Sequence, residues 1–210
     1  MLCAEQTTCT SCALYASRTR VVPGHGPTPA RWMALGEAPG AHEDATGLPF
    51  VHVAGTWLDR MFVSMGLTRA EVFLVNSARC RPPGNRTPLP DEIDACLHRW
   101  FRADLEAVQP EVLFVLGSVP SLALLGARIQ AVRGRLWMVP GVAPVVFPLF
   151  HPAVHAYHAG TRPDDPTPLT RGDLVRFRGW RTEVEAGRTT WAALATAREG
   201  APGLRAHAQD

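Results

Sequence analysis

Three polar side chains that could carry chemistry, Glu37, Asn76 and His151, each lie just after a short apolar run. The amide of Asn76 offers one acceptor and two donors, which suits the edge of a nucleobase, although an asparagine here could also cap a turn. His151 could donate a hydrogen bond to an oxygen that gains negative charge in a transition state, or it could be an ordinary loop histidine. If they converge, these residues could bind a base and stabilise a charged leaving group.

The segment GEAPGAHEDATGLPFVHVAG combines glycines, two acids and an aromatic ring. Glycines after a strand often cradle phosphate, but this segment has neither a Lys-Ser/Thr ending nor a GxGxxG pattern. Phe50 could stack on a base or belong to the core. Glu43 and Asp44 could orient water in a closed pocket or be solvated loop acids. The segment therefore predicts a pocket wall that does not bind phosphate.

The five cysteines are Cys3, Cys9, Cys12, Cys80 and Cys96. An odd number without an export signal argues against a disulfide framework. Two pairs, Cys9-x-x-Cys12 and Cys80/Cys96, could hold zinc or an iron–sulfur cluster. A redox CxxC would normally open a helix after a strand, whereas this one precedes any predicted strand. Unligated buried thiols are the remaining alternative.

Short apolar runs and helical patterns alternate along the chain. The predicted strands are Arg31–Leu35, Val72–Val75, Val112–Leu116 and Val145–Leu149. The predicted helices are Thr56–Met65, Asp91–Val108, Ser118–Leu125, Leu169–Trp180 and Glu183–Ala195. Continuous hydrophobicity suits parallel strands covered on both faces, so the order predicts a three-layer α/β/α sandwich with a central four-stranded parallel sheet. In such a sheet Glu37, Asn76 and His151 converge at the carboxyl ends of the strands.

Length and composition predict one globular domain. The chain has 210 residues, 46% hydrophobic content and a formal net charge of +2. We expect a single domain over residues 1–210, with a core of about 9–180 and a frayed tail at 197–210. The sequence contains no apolar run long enough for a membrane span and no signal-peptide pattern, so we expect a cytoplasmic protein.

Several separated motifs occur in a fixed order: VVPGHG, GEAPG with ED, GLPFV followed by AG, NSARCRPPGNRTPLPDE and HPA. Together with the two cysteine pairs, they resemble the iron–sulfur type of uracil-DNA glycosylase, family 4. The resemblance covers residues 9 to about 155 and is specific, because it rests on several motifs in the right order. The last 50 or so residues add little to it.

The resemblance implies a hydrolase of base excision repair. It would flip deoxyuridine out of DNA and hydrolyse its N-glycosidic bond, releasing uracil and leaving an abasic site. Cys9, Cys12, Cys80 and Cys96 would hold a structural [4Fe–4S] cluster, and Cys3 would be spare. The partner would be uracil-containing DNA, single- or double-stranded, and we expect a monomer.

The resemblance also implies roles for the residues of the pocket. Phe50 would stack on the uracil, and Asn76 would pair with its O4 and N3 edge and so reject cytosine. His151 would stabilise negative charge on O2 as the glycosidic bond breaks. The backbone of Gly36–Gly40 would line the pocket, with Glu37 close to the base and the deoxyribose.

The residue that activates water is the open point. Related classes carry an acid or an amide as base in the first motif, where this chain has Ala38. Glu43 is the first candidate for that role, and it would also shape the pocket and help to exclude the 5-methyl group of thymine.

Contacts to DNA are expected from a loop and from arginines. The loop HPAVHAYH would wedge into the minor groove, with Val154 or His155 as the plug. All basic residues of the chain are arginines, which suit phosphate contacts, although a compositional bias also explains them. The candidate phosphate contacts are Arg81, Arg86, Arg133 and Arg135.

One departure from the family pattern is His52, which stands in PFVHVAG where the family usually has glycine. Histidine adds bulk and a donor beside Phe50 and predicts a narrower pocket, a DNA contact or an altered specificity.

Two alternatives to an active glycosylase stay open. Because of His52, the protein could be a catalytically weak or altered-specificity uracil/DNA-binding protein. It could also be a zinc-stabilised α/β protein with another small ligand. A related variant that traps uracil on a histidine carries an inserted basic loop, and this chain has no histidine between Cys80 and Cys96, so we expect turnover.

Overall fold

The structure is a computed structural model that describes residues 6–142, 145–158, 165–198 and 201–202. Cys3 and most of the predicted frayed tail lie outside these residues. The strands are β1 Trp32–Gly36, β2 Val72–Asn76, β3 Val112–Leu116, β4 Trp137–Met138, β5 Val145–Leu149 and β6 Thr196–Ala197. They form one sheet in the order β2-β1-β3-β5-β4-β6.

Helices connect the strands and cover both faces of the sheet. They are α1 Ala41–Thr46, α2 Val53–Ser64, α3 Pro90–Cys96, α4 Arg102–Val108, α5 Ser118–Leu125, α6 Ile129–Val132, α7 Pro152–His158, α8 Thr167–Glu185 and α9 Trp191–Leu194. In the part of the chain that the structure describes, none of them has the length and apolar character to cross a membrane.

Each central strand sends alternate side chains into two separate cores. In β1, Trp32 and Ala34 face one core, which α2, α8 and α9 cover. Met33 and Leu35 face the other core, which α3 to α6 cover. Because side chains alternate along a strand while both faces are buried, the central strands are apolar along their length, apart from Asn76 at the end of β2. The predicted three-layer sandwich is confirmed.

The four predicted strands are all present, and they pair in parallel. Two short strands, β4 and β6, extend the sheet beyond them. β4 pairs with β5 in antiparallel orientation and with β6 in parallel. The pattern of apolar residues does not predict these strands, because two residues are fewer than the run of about four to eight that marks a buried strand.

The C-terminal helices differ from the prediction. α8 continues through Trp180, where a break is predicted, and ends at Glu185. Gly187 follows in the left-handed region with a φ of 70°, and only a short helix, α9, comes after it. The predicted helix Glu183–Ala195 is therefore wrong, because the glycine that ends the preceding helix lies inside it.

The predicted helix Asp91–Val108 contains a π-helical turn. α3 ends at Cys96, the π turn occupies Leu97–Phe101, and α4 follows directly. Single π turns inside α-helices occur frequently at functional sites. Here Cys96, just before the turn, and Trp100, within it, line one cavity with the other cysteines.

Candidate active site and cysteine cavity

A pocket of about 540 Å³ opens at the carboxyl ends of the central strands, and we call it the strand-end pocket. Ligand pockets commonly have volumes of about 300–1,000 Å³. Glu37 after β1, Asn76 at the end of β2 and His151 after β5 all line it. The structure therefore brings together the three residues that the strand order places at this edge. The other predicted pocket residues that line it are Ala38, Glu43, Phe50, His52 and Arg86.

Asn76 presents a buried amide to the strand-end pocket. The residue is only 3% exposed. Among the described residues, none forms a hydrogen bond with its side chain. Its Oδ1 lies against Gly36, where an added Cβ would come within 2.5 Å of Oδ1 and within 2.5 Å of the Phe50 ring. A larger residue than glycine would push both groups away, whereas glycine leaves the amide available to a ligand.

Phe50 has a backbone conformation that is unusual for an aromatic residue, with a φ of 54°. Two contacts hold it there. Nη2 of Arg69 donates to the carbonyl oxygens of Pro49 and Phe50, both at 2.9 Å. The backbone of Gly55 passes so close that an added Cβ would lie 1.9 Å from the Phe50 oxygen. These contacts place the ring of Phe50 with its centroid 6.3 Å from that of His151.

His151 is a neutral hydrogen-bond donor with a defined tautomer. Its Nδ1 accepts a hydrogen bond of 3.2 Å from the backbone N–H of Ala153. In a neutral imidazole the other nitrogen then carries the proton, so Nε2–H is the donor available to the pocket. Burial, with a smaller effect from His155, lowers the pKa of His151 to about 4. The ring is therefore uncharged at neutral pH.

Glu43 is tied to the backbone on both sides. Its Oε2 accepts a hydrogen bond of 3.1 Å from the N–H of Gly40, and its Oε1 accepts one of 3.1 Å from the N–H of Val51. The side chain therefore joins the start of α1 to the residue that follows Phe50. The sequence makes Glu43 the first candidate for the residue that activates water. The geometry favours a positioning role instead, because both carboxylate oxygens already accept hydrogen bonds from backbone N–H groups.

A Glu43→Gln substitution tests that role. The amide nitrogen of glutamine cannot accept a hydrogen bond from a backbone N–H. One of the two hydrogen bonds is therefore lost, and the side-chain NH₂ group faces a backbone N–H group. We expect a loss of about 1–3 kcal/mol in the free energy of unfolding, measured by chemical denaturation. The pH profile of catalysis should keep its shape, and the exposed Glu106→Gln serves as the control. Loss of an acid limb from that profile, without loss of stability, would show instead that Glu43 is the base.

Asp44 does not face the pocket. It is buried, and its carboxylate accepts hydrogen bonds of 2.9 and 3.1 Å from the backbone N–H of Thr19 and one of 3.3 Å from that of Arg20. The predicted role of Asp44 in orienting water is therefore replaced by a structural one. It anchors the segment that follows the first cysteine pair to α1.

Glu37 is the other carboxyl of the strand-end pocket. Burial raises its pKa, and a hydrogen bond with the Thr87 side chain opposes that rise. Its neighbour Ala38 contributes no polar group and packs against an apolar cluster that includes Leu14 and Cys80. Glu37 is therefore the acid of the first motif that faces the pocket.

The predicted DNA-contacting loop is a helix, α7, and one of its candidates points inward. His155 is 2% exposed, and its ring nitrogens lie 3.2 Å from the hydroxyl oxygens of Thr167 and Thr170 on α8. A histidine buried between helices cannot wedge into a groove without leaving these partners. This placement argues against His155 as the plug, whereas the half-buried Val154 stays a candidate.

The arginines chosen as phosphate contacts differ in their surroundings. Arg86 lies at the pocket and forms two hydrogen bonds, of 2.9 and 2.7 Å, with Glu92. Arg133 is mostly buried over the ring of Phe150 and beside Asp173, so its charge is balanced inside the protein. We therefore do not expect Arg133 to contact phosphate. Arg81 and Arg135 remain predicted phosphate contacts.

His52 forms a stacked pair with His42 at the strand-end pocket. The two rings lie 3.7 Å apart with an angle of 6° between their planes, and both residues are exposed. Both line the pocket, and His52 directly precedes α2. His52 and His42 thus form part of the pocket wall together. The position of His52 in the motif does not reveal this pairing.

Four cysteines line a second, much smaller cavity of about 10 Å³, and we call it the cysteine cavity. Cys9, Cys12, Cys80 and Cys96 are all free thiols in the structure. A hydrogen bond from the Cys96 thiol holds the pKa of Cys12 at about 6. Within the described ranges, no group of three or more His, Cys, Asp or Glu residues has the spacing of a metal site.

The sulfur atoms of Cys9 and Cys80 form hydrogen bonds with side chains of the surrounding protein. Sγ of Cys9 donates to Oγ of Ser11 at 3.4 Å, and Sγ of Cys80 accepts from Nη1 of Arg18 at 3.2 Å. Arg79 also lines the cavity, and its buried Nε and Nη1 have no hydrogen-bond partner among the described residues. Donors around thiolates stabilise the anionic form that binds metals.

Comparison with known proteins identifies the family. A model described as the uracil DNA glycosylase superfamily matches residues 23–171. The chain is 38% identical over 167 residues to the Type-4 uracil-DNA glycosylase of Saccharolobus solfataricus, covering 75% of this chain and 77% of the relative. It is 39% identical over 148 residues to that of Thermotoga maritima, covering 69% and 76%. A Type-5 uracil-DNA glycosylase of Thermus thermophilus is 36% identical over 190 residues, covering 81% and 74%. The chain belongs to the uracil-DNA glycosylase superfamily.

Proposed function

We propose that the protein is a DNA repair hydrolase that removes uracil from DNA by cleaving the N-glycosidic bond of deoxyuridine. The observation that carries the proposal is the meeting of an aromatic face, an unpaired amide and a neutral histidine in one pocket: Phe50, Asn76 and His151. Membership of the superfamily and likeness to proteins named Type-4 uracil-DNA glycosylases support it.

Recognition of the base rests on Phe50 and Asn76. The deoxyuridine leaves the helix stack and enters the strand-end pocket, where its ring stacks on Phe50. The amide of Asn76 donates to O4 and accepts from N3–H. Cytosine presents a donor in place of O4 and an acceptor in place of N3–H, so the same amide orientation opposes it.

Bond cleavage rests on His151. Uracil leaves as an anion while the sugar becomes oxocarbenium-like, so a donor fixed at O2 stabilises the charge that develops. The neutral Nε2–H is such a donor, because Ala153 holds the opposite nitrogen. Glu37 is the carboxyl that would position the attacking water, since both oxygens of Glu43 hold backbone N–H groups.

The DNA itself would lie across the mouth of the strand-end pocket. Arg86 lines the pocket and is paired with Glu92, but its side chain stays 39% exposed and can therefore reach a phosphate. Val154, on the first turn of α7, is the candidate for the groove wedge.

An oligonucleotide assay tests the proposed reaction. Single- and double-stranded oligonucleotides with one deoxyuridine are incubated with the protein, and abasic sites are then cleaved with alkali. We expect strand scission at the uracil and none in matched oligonucleotides that carry cytosine or thymine there. No scission at a large excess of protein would refute the glycosylase.

A second candidate is a catalytically weak or altered-specificity member of the same fold. The observation in its favour is the stacked pair of His42 and His52 at the pocket, where the family pattern has a glycine at the second position. Tight binding of the uracil oligonucleotide without scission would favour this candidate. Scission at a different deaminated base would indicate altered specificity.

We also propose that Cys9, Cys12, Cys80 and Cys96 hold a [4Fe–4S] cluster. The four thiols line one cavity, the Arg18 guanidinium donates to the sulfur of Cys80, and a buried guanidinium, that of Arg79, borders the cavity with two nitrogens that have no partner among the described residues. When bound, the cluster would supply a cross-link between the N-terminal segment and α3.

The protein purified without air should be brown. We expect broad absorbance near roughly 400 nm and about four iron atoms for each chain, and we expect both to be lost in Cys96→Ser. The measurement is an absorbance spectrum combined with metal analysis. A colourless protein that contains zinc would contradict the cluster and favour the alternative of a single metal ion.

A further inference from the structure

Arg79 is a buried cation whose hydrogen bonds are only partly satisfied by protein groups. Its side chain is 2% exposed, and Nη2 pairs with the equally buried carboxylate of Asp104. Its Nε and Nη1 are buried and have no hydrogen-bond partner among the described residues. Buried guanidinium N–H groups are rarely left in this state, because they have lost their hydration without a replacement.

The cysteine cavity offers acceptors for these N–H groups. Arg79 lines the cavity together with Cys80, which follows it in the chain, and with Cys96. A [4Fe–4S] centre with four thiolates carries a net charge of about −2, and its sulfur atoms accept hydrogen bonds. The unpartnered edge of the guanidinium therefore has both the charge and the donors that such a group needs.

Arg18 reaches the same cavity from the N-terminal segment. Its Nη1 donates to the sulfur of Cys80 at 3.2 Å and to the carbonyl oxygen of Cys9 at 2.7 Å, and its Nη2 donates to the carbonyl oxygen of Thr7 at 3.3 Å. It thus joins one cysteine of each pair through a single cation. Arg18 therefore contacts one of the four thiols, and Arg79, from another part of the chain, borders the same cavity.

We propose that Arg79 and Arg18 are the hydrogen-bond donors that set the reduction potential of the cluster, an inference that rests on the proposed [4Fe–4S] centre. Addition of one electron increases the negative charge of the cluster. Cationic N–H donors at its sulfurs stabilise this reduced form more than the oxidised form, so they raise the potential. Both residues act through the cluster and do not touch the uracil pocket.

Redox titration of the loaded protein tests the proposal. The ratio of reduced to oxidised cluster is followed by absorbance and electron paramagnetic resonance against a series of fixed potentials. At the midpoint potential of the parent protein, Arg18→Gln should lower that ratio about tenfold, which for one electron equals a shift of 59 mV to a more negative potential. The exposed Arg188→Gln, which removes an arginine paired with Glu183, should leave the ratio unchanged.

Arg79 needs a paired substitution, because its removal alone would leave Asp104 buried and unpaired. Arg79→Met combined with Asp104→Leu replaces the ion pair by apolar side chains of similar size. We expect this double variant to bind iron and to shift the potential in the same direction as Arg18→Gln. If the double variant does not retain iron, Arg18→Gln alone decides the outcome.

The results separate the two proposals. Parental potentials in fully loaded variants would overturn the role of the arginines and leave the cluster in place. A parent protein without iron would overturn the cluster, and the inference about the arginines would fall with it. Uracil release by that iron-free protein would still support the glycosylase.

Discussion

A His151→Ala variant is expected to release uracil about 100 to 1,000 times more slowly than the parent protein. This is the effect of removing one preorganised donor from the site where an anion forms. Nε2–H of His151 has that position because Ala153 fixes the other ring nitrogen and burial keeps the ring neutral. The measurement is single-turnover cleavage of a single-stranded uracil oligonucleotide with protein in excess, so that product release does not limit the rate.

The pH dependence provides the control for this assignment. The pKa of His151 is about 4, so the ring stays neutral from about pH 5 upward and should not produce a titration step near its ordinary value of about 6.5. Below about pH 4, protonated Nδ1 would face the N–H of Ala153 and the ring would lose its anchor. Full activity of His151→Ala, or a step near pH 6.5 that vanishes in this variant, would contradict the neutral donor.

The lowered pKa of His151 also affects the free energy of unfolding. A histidine whose folded-state pKa lies below its unfolded value binds fewer protons in the folded state. Its contribution to stability is therefore complete above about pH 6.5 and is lost as the pH falls towards 4. In His151→Ala this part of the decline in the free energy of unfolding should be absent.

An Asn76→Ala variant is expected to lose at least about 100-fold in rate and most of its discrimination between uracil and cytosine. The substitution leaves O4 and N3–H of a buried base without partners, and each unpaired group costs about 1–3 kcal/mol. Asn76 is buried and its amide has no partner among the described residues, so the variant removes few contacts of the fold itself. The measurement compares cleavage of uracil and cytosine oligonucleotides by parent and variant.

Gln130→Ala is the matched control, because it removes an exposed amide elsewhere on the protein. The discrimination requires a fixed orientation of the Asn76 amide, since a flipped amide would match cytosine. Substitution of Gly36 by alanine should disturb that orientation, because the added Cβ would meet Oδ1 at 2.5 Å. Unchanged uracil selectivity in Asn76→Ala would show that the pocket reads the base through other groups.

The layers and the place of the site follow from local sequence patterns. Uninterrupted apolar runs indicate buried parallel strands, and a parallel sheet brings the residues after its strands to one edge. That reasoning is sufficient to place Glu37, Asn76 and His151 together before any coordinates are known. It fails for β4 and β6, which are too short to leave a pattern.

The contacts that position the residues of the pocket and of the cysteine cavity leave no pattern in the sequence. Arg69 holds the backbone of Phe50 from 19 residues away, and Arg79 reaches a carboxylate 25 residues further along the chain. Such contacts depend on tertiary packing between separate elements, so neither periodicity nor spacing reveals them. His155 shows the converse error: a histidine in a motif associated with DNA contact turns inward because its segment is helical and packs against α8.

Two adjacent acids on α1 tie the pocket to the cysteine-bearing segment. Glu43 accepts hydrogen bonds from the backbone N–H groups of Gly40 and Val51 at the pocket wall, while Asp44, its neighbour in the chain, accepts hydrogen bonds from Thr19, which follows the first cysteine pair. The cysteine-bearing segment and the wall beside Phe50 are therefore anchored to adjacent residues of one helix.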